Sequence, residues 1–225
     1  NVTSNIDQGL YFSHGNMEGF SFSWSSDSRW LAYSRDLPNL HNAAFIYDTK
    51  EKKTRQVTSG FYSCSNPVFD PQGKYLFVFS AQTTQPYYSD QDNTFIYANS
   101  GRLAAIALQK KTPSILLPKN DTVAIKVEEP AATKKEGTKK EDAKLKKDSA
   151  TSETNSVSID FDGFERRLEL LPVPAGNMGL ANAVKGKLIY IRFPNTGMPE
   201  GVPPALKYYD IEKREEKTIL DGVDN

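Results

Sequence analysis

One short stretch of this chain occurs twice. The segment FSWSSDSRWLAYS (Phe22 to Ser34) matches PVFDPQGKYLFVFS (Pro67 to Ser80) in the kind of residue at nearly every place. Each residue of the second copy lies 45 positions after its counterpart, as Phe69 does after Trp24. Both copies alternate apolar and polar residues, turn, and return as a second apolar run, which is the pattern of a β-hairpin. The repeat therefore predicts sheets that recur along the chain.

The turns of the two copies are SSDS and DPQG. Pro71 fixes one backbone angle of its turn, and Gly73 accepts a left-handed conformation at little cost. Ser28 stands where the second copy has Gly73, so the first turn places a non-glycine residue at the position that suits glycine best.

A second hairpin follows each first one. Residues 42–60, 100–118 and 204–222 all have strand-forming runs on either side of a charged turn, and VKGKLIYIRF (residues 184–193) precedes the third. Four strands in units of about 40–50 residues are typical of β-propeller blades. A two-sheet sandwich also has short, regularly spaced strands, but it does not repeat its turn chemistry in register.

The predicted fold is all-β: residues 1–225 form a partial β-propeller of about three four-stranded antiparallel blades. The expected blades span approximately residues 19–60, 64–118 and 158–222. Closed propellers typically have four to eight blades. We therefore expect this chain to be a piece of a larger propeller, with apolar faces on its first and last sheets left uncovered.

A long Lys/Glu-rich insertion separates the second and third predicted blades. Residues 126–157 contain eight lysines and seven acidic residues, no aromatic residue, and only three large aliphatic ones. Such a segment cannot bury enough apolar area to offset the entropy of ordering it. It is predicted to be a low-complexity, mobile loop.

Charge and composition exclude several classes of function. The 28 basic and 28 acidic residues cancel, so no basic excess indicates a nucleic-acid partner. No apolar run is long enough for membrane insertion. The start of the sequence has no signal-peptide pattern.

The sequence predicts no catalytic, cofactor-binding or metal-binding residue. His14 and His41 have no ligand spacing, and no GxSxG elbow or phosphate-binding glycine loop occurs. Cys64 has no base beside it and is expected to be a small buried hydrophobe. The carboxylates of IDFDGFERR (residues 159–167) lack calcium-loop spacing and favour a turn before the next strand.

The segments WSSDSRWLAYS and FDPQGKYLFVFS resemble the propeller repeat of TolB-like and tricorn-like proteins. The order of three later segments is more specific: residues 80–108, the Lys/Glu-rich insertion, and residues 159–191. This succession resembles the second, larger propeller of tricorn proteases and their bacterial homologues, and the likeness covers essentially the whole chain.

The resemblance implies a parent that is a serine endopeptidase, with its catalytic groups in later domains that this chain does not contain. The chain itself is then expected to be noncatalytic: it gates or guides unfolded peptides, contacts neighbouring domains, and belongs to a homo-oligomeric parent. The implied compartment is the cytoplasm, or the periplasm if the full-length parent has a signal peptide. Tyr87, Tyr88 and Phe95, near the blade loops, are the candidate peptide contacts.

Two other interpretations stay open. The chain could belong to a stand-alone TolB-like interaction propeller, or to the propeller of a prolyl-oligopeptidase-like enzyme. The sequence that follows Asn225 in the parent separates them: a PDZ-like stretch with a protease domain, an early stop, or a GxSxG elbow.

Overall fold

A computed structural model describes residues 22–83, 86–89, 94–118 and 156–223. The chain divides into one unit of residues 1–116 and 154–225, which holds every described strand, and a second of residues 117–153, nearly all of it outside the described residues. The strands are β1 (Phe22–Trp24), β2 (Trp30–Asp36), β3 (Asn42–Asp48), β4 (Lys53–Gln56), β5 (Cys64–Phe69), β6 (Tyr75–Ser80), β7 (Tyr87–Ser89), β8 (Thr94–Ile96), β9 (Arg102–Ala107), β10 (Leu168–Leu170), β11 (Asn177–Val184), β12 (Lys187–Phe193), β13 (Ala205–Asp210) and β14 (Glu215–Asp221). A 3₁₀ turn, Glu165–Arg167, precedes β10.

Twelve of these strands form three antiparallel four-stranded sheets. Their strand orders are β1-β2-β3-β4, β5-β6-β9-β10 and β11-β12-β13-β14, and β7 pairs with β8 alone. The first strand of the second sheet, β5, contacts both β1 and β11, so the first strands of the three sheets lie side by side. The predicted fold class is confirmed: the chain is an open, partial β-propeller.

The repeated turn has the same geometry in both copies. The N–H of Ser28 donates to the carbonyl of Ser25 at 2.9 Å, and the N–H of Gly73 donates to that of Asp70 at 2.8 Å. Ser28 and Gly73 both have a left-handed backbone, with φ of 57° and 67°. The first copy thus holds a serine in a conformation that costs L-residues free energy and glycine almost none.

Apolar side chains fill both gaps between the sheets. Trp30 and Ile46 of the first sheet pack against Leu76 and Ile106 of the second, and alternate residues such as Tyr33 face the opposite side, as the two-residue period of a strand requires. Between the second and third sheets, buried side chains meet in the same way: Phe77, Phe79, Leu103, Leu188, Tyr190 and Tyr209.

The outer strand of the second sheet lies elsewhere than the predicted blade bounds suggest. Residues 113–118 form turns, and β10, at Leu168–Leu170, takes the edge beside β9. Pro113 and Pro118 explain the difference, since proline has no N–H to donate to a strand ladder. Residues 168–170, which the prediction assigned to the third blade, therefore belong to the second sheet, and the third sheet begins at Asn177.

The end of the predicted mobile insertion is ordered. Val157 is buried, its carbonyl accepts a 2.9 Å hydrogen bond from the Trp30 indole, and its N–H donates to Asp27 at 2.8 Å. Val157 is one of the few aliphatic residues in that segment, and burying it offsets the cost of fixing its backbone. Residues 126–155 lie outside the described residues, so their predicted mobility stays a prediction.

The two left-handed turn residues give a matched test. Gly73→Ala is expected to lower the free energy of unfolding by about 1–2 kcal/mol, the usual cost of a left-handed L-residue. A Cβ at this position would also lie 2.9 Å from Val157 Cγ2. Ser28→Gly removes the same strain and is expected to leave stability unchanged or raised by less than about 1 kcal/mol. Urea denaturation measures both, and equal losses in the two variants would contradict this account of the turn.

Candidate functional site

The connections between strands divide between two rims of the propeller. One rim, here called the aromatic rim, comprises residues 37–41, 57–63, 81–101, 171–176 and 194–204. Hydrogen bonds join these connections to one another: Ala81 N–H to the Ser63 carbonyl at 2.9 Å and Gly176 N–H to the Gly101 carbonyl at 3.0 Å. Asn99 adds a reciprocal pair with the backbone of Thr196.

The two rims differ in charge. Within the described part of the aromatic rim, Glu200 is the only Asp, Glu, Lys or Arg. On the opposite rim, here called the charged rim, the turns at residues 25–29, 49–52, 70–74 and 211–214 carry two or more charged residues each. Charged turns solvate one rim, while the described part of the other offers surface with little electrostatic preference for ions.

Exposed large apolar side chains concentrate on the aromatic rim. Nine of them lie there: Leu40, Phe61, Tyr62, Tyr88, Phe95, Ile96, Tyr97, Met198 and Val202. Clustered exposed apolar side chains mark contact surfaces more often than scattered ones do. The aromatic rim is therefore the candidate functional site.

Two of the three predicted contact residues meet on a hairpin of this rim. The strands β7 and β8 pair Tyr88 directly with Phe95, and their rings form an edge-to-face contact with centroids 5.9 Å apart. The side chains of Tyr88 and Phe95 are 61% and 59% exposed, so they do not pack beneath a loop. Tyr87 lies on the same strand, opposite Ile96, and its side chain lies outside what the structure describes.

Sequence reasoning missed most of the rim. Phe61 and Tyr62 form a second edge-to-face pair, with centroids 4.9 Å apart, in the connection from the first sheet to the second. The available signal was the alternation of charge-poor and charge-rich connections along the chain. Reading it requires the strand order, because only that order decides which connections share a rim.

The residues set aside as noncatalytic have structural partners. Cys64 is buried, and burial raises the pKa of its thiol, which makes it a poor nucleophile. Asp162 forms a 2.6 Å ion pair with Lys110, and Glu165 accepts hydrogen bonds from Ser59. These carboxylates diverge, and no cluster of metal ligands occurs among the residues the structure describes. Among the same described residues, no helix is long or apolar enough to span a bilayer.

A partly buried charge network lies in the third sheet below the aromatic rim. Glu216 accepts hydrogen bonds from the Tyr190 hydroxyl, from Arg192 at 2.9 Å and from Lys207 at 3.0 Å. Burial opposes ionisation of Glu216, but the bonds from Tyr190 and Lys207 and the charge of Arg192 outweigh it and lower its pKa. Arg192 also donates to the Pro174 carbonyl at 2.9 Å, which ties the rim connection 171–176 to the sheet.

Comparisons with known proteins agree on one family. The family described as the tricorn protease second beta propeller domain matches residues 13–225. Tricorn protease homolog 1 of Streptomyces coelicolor is 24% identical over 220 residues, which cover 94% of this chain. This chain spans 19% of that relative's length.

Two solved structures share the fold. The crystal structure of the tricorn protease superposes with a TM-score of 0.64 at 17% identity, over 91% of this chain and 18% of its own. A TolB-type protein from Agrobacterium tumefaciens superposes with a TM-score of 0.52 at 11% identity, over 92% of this chain and 51% of its own.

The charge network predicts a pH dependence. Because the folded-state pKa of Glu216 is lowered, its stabilising contribution is fully present above the ordinary value of 4.5 and is lost as the pH falls through the lower folded-state value. Glu216→Gln is expected to cost about 1–3 kcal/mol at pH 7 and to flatten the loss of stability below pH 4.5. Glu215→Gln, on the exposed opposite face of the same strand, is the control. Urea denaturation across pH that gave parallel curves for the Glu216 variant and the unmodified chain would contradict the network's role.

Proposed function

Because this chain belongs to the family of the tricorn protease second β-propeller domain, we propose that it is the noncatalytic, substrate-guiding part of a tricorn-like serine endopeptidase. In this proposal the reacting groups lie in other domains of the parent. The propeller receives unfolded peptides on its aromatic rim and passes them on toward the catalytic domain.

The observation that carries the proposal is the contrast between the two rims. An unfolded peptide exposes apolar side chains and unpaired backbone groups, with no fixed charge pattern. The aromatic rim, with nine exposed apolar side chains and one charged residue among its described residues, suits such a ligand. A partner recognised by charge would instead be expected on the charged rim.

The Tyr88–Phe95 pair has a form suited to transient contact. Two rings paired across a two-stranded hairpin present a wide apolar surface, and each ring carries only two rotatable side-chain bonds to order on binding. The strands β7 and β8 pair with none of the three main sheets, so a peptide bound to them need not disturb those sheets. We place contacts with neighbouring domains of the parent, and with other copies of it, on surfaces other than this hairpin.

The test uses the full-length parent with two substrates. Replacing Tyr88 and Phe95 together by alanine is expected to lower kcat/KM for a long unfolded polypeptide about threefold to tenfold, since an aromatic pair acting as one contact contributes roughly 0.5–1.5 kcal/mol. Turnover of a tripeptide amide, which in this proposal is bound by the catalytic domain alone, is expected to stay unchanged.

Val184→Ala is the matched control, because Val184 is also an exposed aliphatic residue but ends β11 at the turn to β12, on the charged rim. Equal losses on both substrates, or no loss on the polypeptide, would contradict guidance by this rim. A parent without any peptidase activity would favour the interaction-propeller alternative.

A further inference from the structure

A cleft opens on the aromatic rim between the second and third sheets. Its volume is about 390 Å³, within the range of roughly 300–1,000 Å³ typical of small-ligand pockets. The end of β6, the residues before β9, the start of β11 and the connection after β12 all contribute to its walls. It is thus built from the two sheets together and exists in neither alone.

The lining of the cleft is uncharged and amphipathic. Phe79, Phe193 and Met178 supply apolar walls, and Tyr97, which is 57% exposed, stands at the mouth. The polar surface is supplied by hydroxyl side chains such as that of Ser65, by amide side chains such as that of Asn99, and by backbone groups. None of the described lining residues is Asp, Glu, Lys or Arg.

Close approach of two glycines sets the floor of the cleft. Gly176 donates a 3.0 Å hydrogen bond to the carbonyl of Gly101, and a Cβ on Gly101 would lie 2.7 Å from the Gly176 carbonyl oxygen. A larger residue at Gly101 would therefore push the two sheets apart or fill the floor. Bare backbone at this place keeps the cleft open and presents peptide groups to an occupant.

Both first strands beside the cleft depart from regular pairing. The register of β5 against β6 shifts between Ser65 and Val68, and that of β11 against β12 shifts between Gly179 and Asn182. Bulges re-aim side chains and leave backbone groups outside the ladder, and they are over-represented next to binding sites. Two of them flank this cleft, one on each side.

We propose that this inter-sheet cleft binds one large uncharged side chain, aromatic or aliphatic, of an extended peptide. The inference rests on the proposed function, and it names a side-chain class and a subsite that the proposed function leaves open. Apolar walls hold the side chain, while the polar groups and bare backbone around it accept and donate hydrogen bonds to the peptide backbone.

The absence of charged side chains among the lining residues favours this occupant over others. The nearest guanidinium, that of Arg192 beside Gly176, is already paired with Glu216. A carboxylate, phosphate or ammonium group in the cleft would therefore lose water without gaining an unshared ionic partner, which is costly. An uncharged apolar side chain loses little and gains contact with the aromatic walls. The cleft should therefore discriminate against charge more strongly than it discriminates among apolar side chains.

The experiment measures fluorescence anisotropy of this chain with labelled glycine–serine peptides that carry a central phenylalanine, leucine or glutamate. The phenylalanine and leucine peptides are expected to bind about tenfold or more tightly than the glutamate peptide. Ala81→Arg places bulk and charge in the cleft while its backbone bond to Ser63 stays intact, so it should abolish that preference. Tyr97→Ala, a change at an exposed position, should weaken binding of the phenylalanine peptide by about threefold to tenfold.

Phe61→Arg is the matched control, because Phe61 is exposed on the same rim but outside the cleft. Unchanged preference in this variant supports the cleft. If the Phe61 and Ala81 variants lose this preference equally, or if all three peptides bind equally well, the proposal is overturned and nonspecific binding to the rim explains the result. A dimer in sedimentation that Ala81→Arg dissociates also overturns it, because the occupant is then a second copy. If the cleft fails while the Tyr88 and Phe95 variant still slows polypeptide turnover, the guiding function stands without this subsite.

Discussion

Face-to-face packing of neighbouring sheets is the interaction on which the rest of this structure depends. Each gap is filled from both sides by strand residues of one face, with Trp30 and Ile46 meeting Leu76 in the first gap and Phe79 meeting Tyr190 in the second. Because strands alternate their side chains, the choice of the buried face also fixes which residues point away from each gap. Stacking brings the first strands side by side and gathers the connections at two rims.

The difference between the rims follows from how the strands are joined. Tight turns between paired strands need residues that bond back to the backbone, and Asp70 shows this: it accepts hydrogen bonds from the N–H groups of Gln72 and Lys74. Asp48 does the same for Lys50 and Glu51, so polar turn chemistry brings charge to one rim. The longer connections of the aromatic rim instead satisfy their backbone by bonding to each other, as Gly101 and Gly176 do, and this leaves their side chains free for apolar surface.

Sequence reasoning predicted the sheets well because their signals are local. The alternation in each strand and the turn at Gly73 lie within a dozen residues, and Ser28 was identified as the left-handed counterpart of Gly73 from the repeat alone. The position of β10 was not predictable in the same way, since its partner β9 lies about sixty residues earlier and the nearer Ile115 is also buried.

Nor could the cleft be predicted, because Ser65, Tyr97 and Met178 become neighbours only when two sheets stack. Tyr88 and Phe95 were found because aromatic residues in a loop are conspicuous, while their pairing needed the register of β7 and β8.

The long segment between β9 and β10 leaves the second sheet and returns to it at the same position. Asp160 donates its N–H to the carbonyl of Leu108 at 2.9 Å, and its carboxylate accepts from the N–H of Lys110 at 2.8 Å, so the two ends are fastened together. When the ends of a loop are fixed, each doubling of the length between them costs only about 0.6 kcal/mol in closure entropy. Mutations can therefore lengthen, shorten or replace the stretch between Pro118 and Ser156 with little loss of stability. A whole additional domain could be inserted there while the strands of the sheets keep their register.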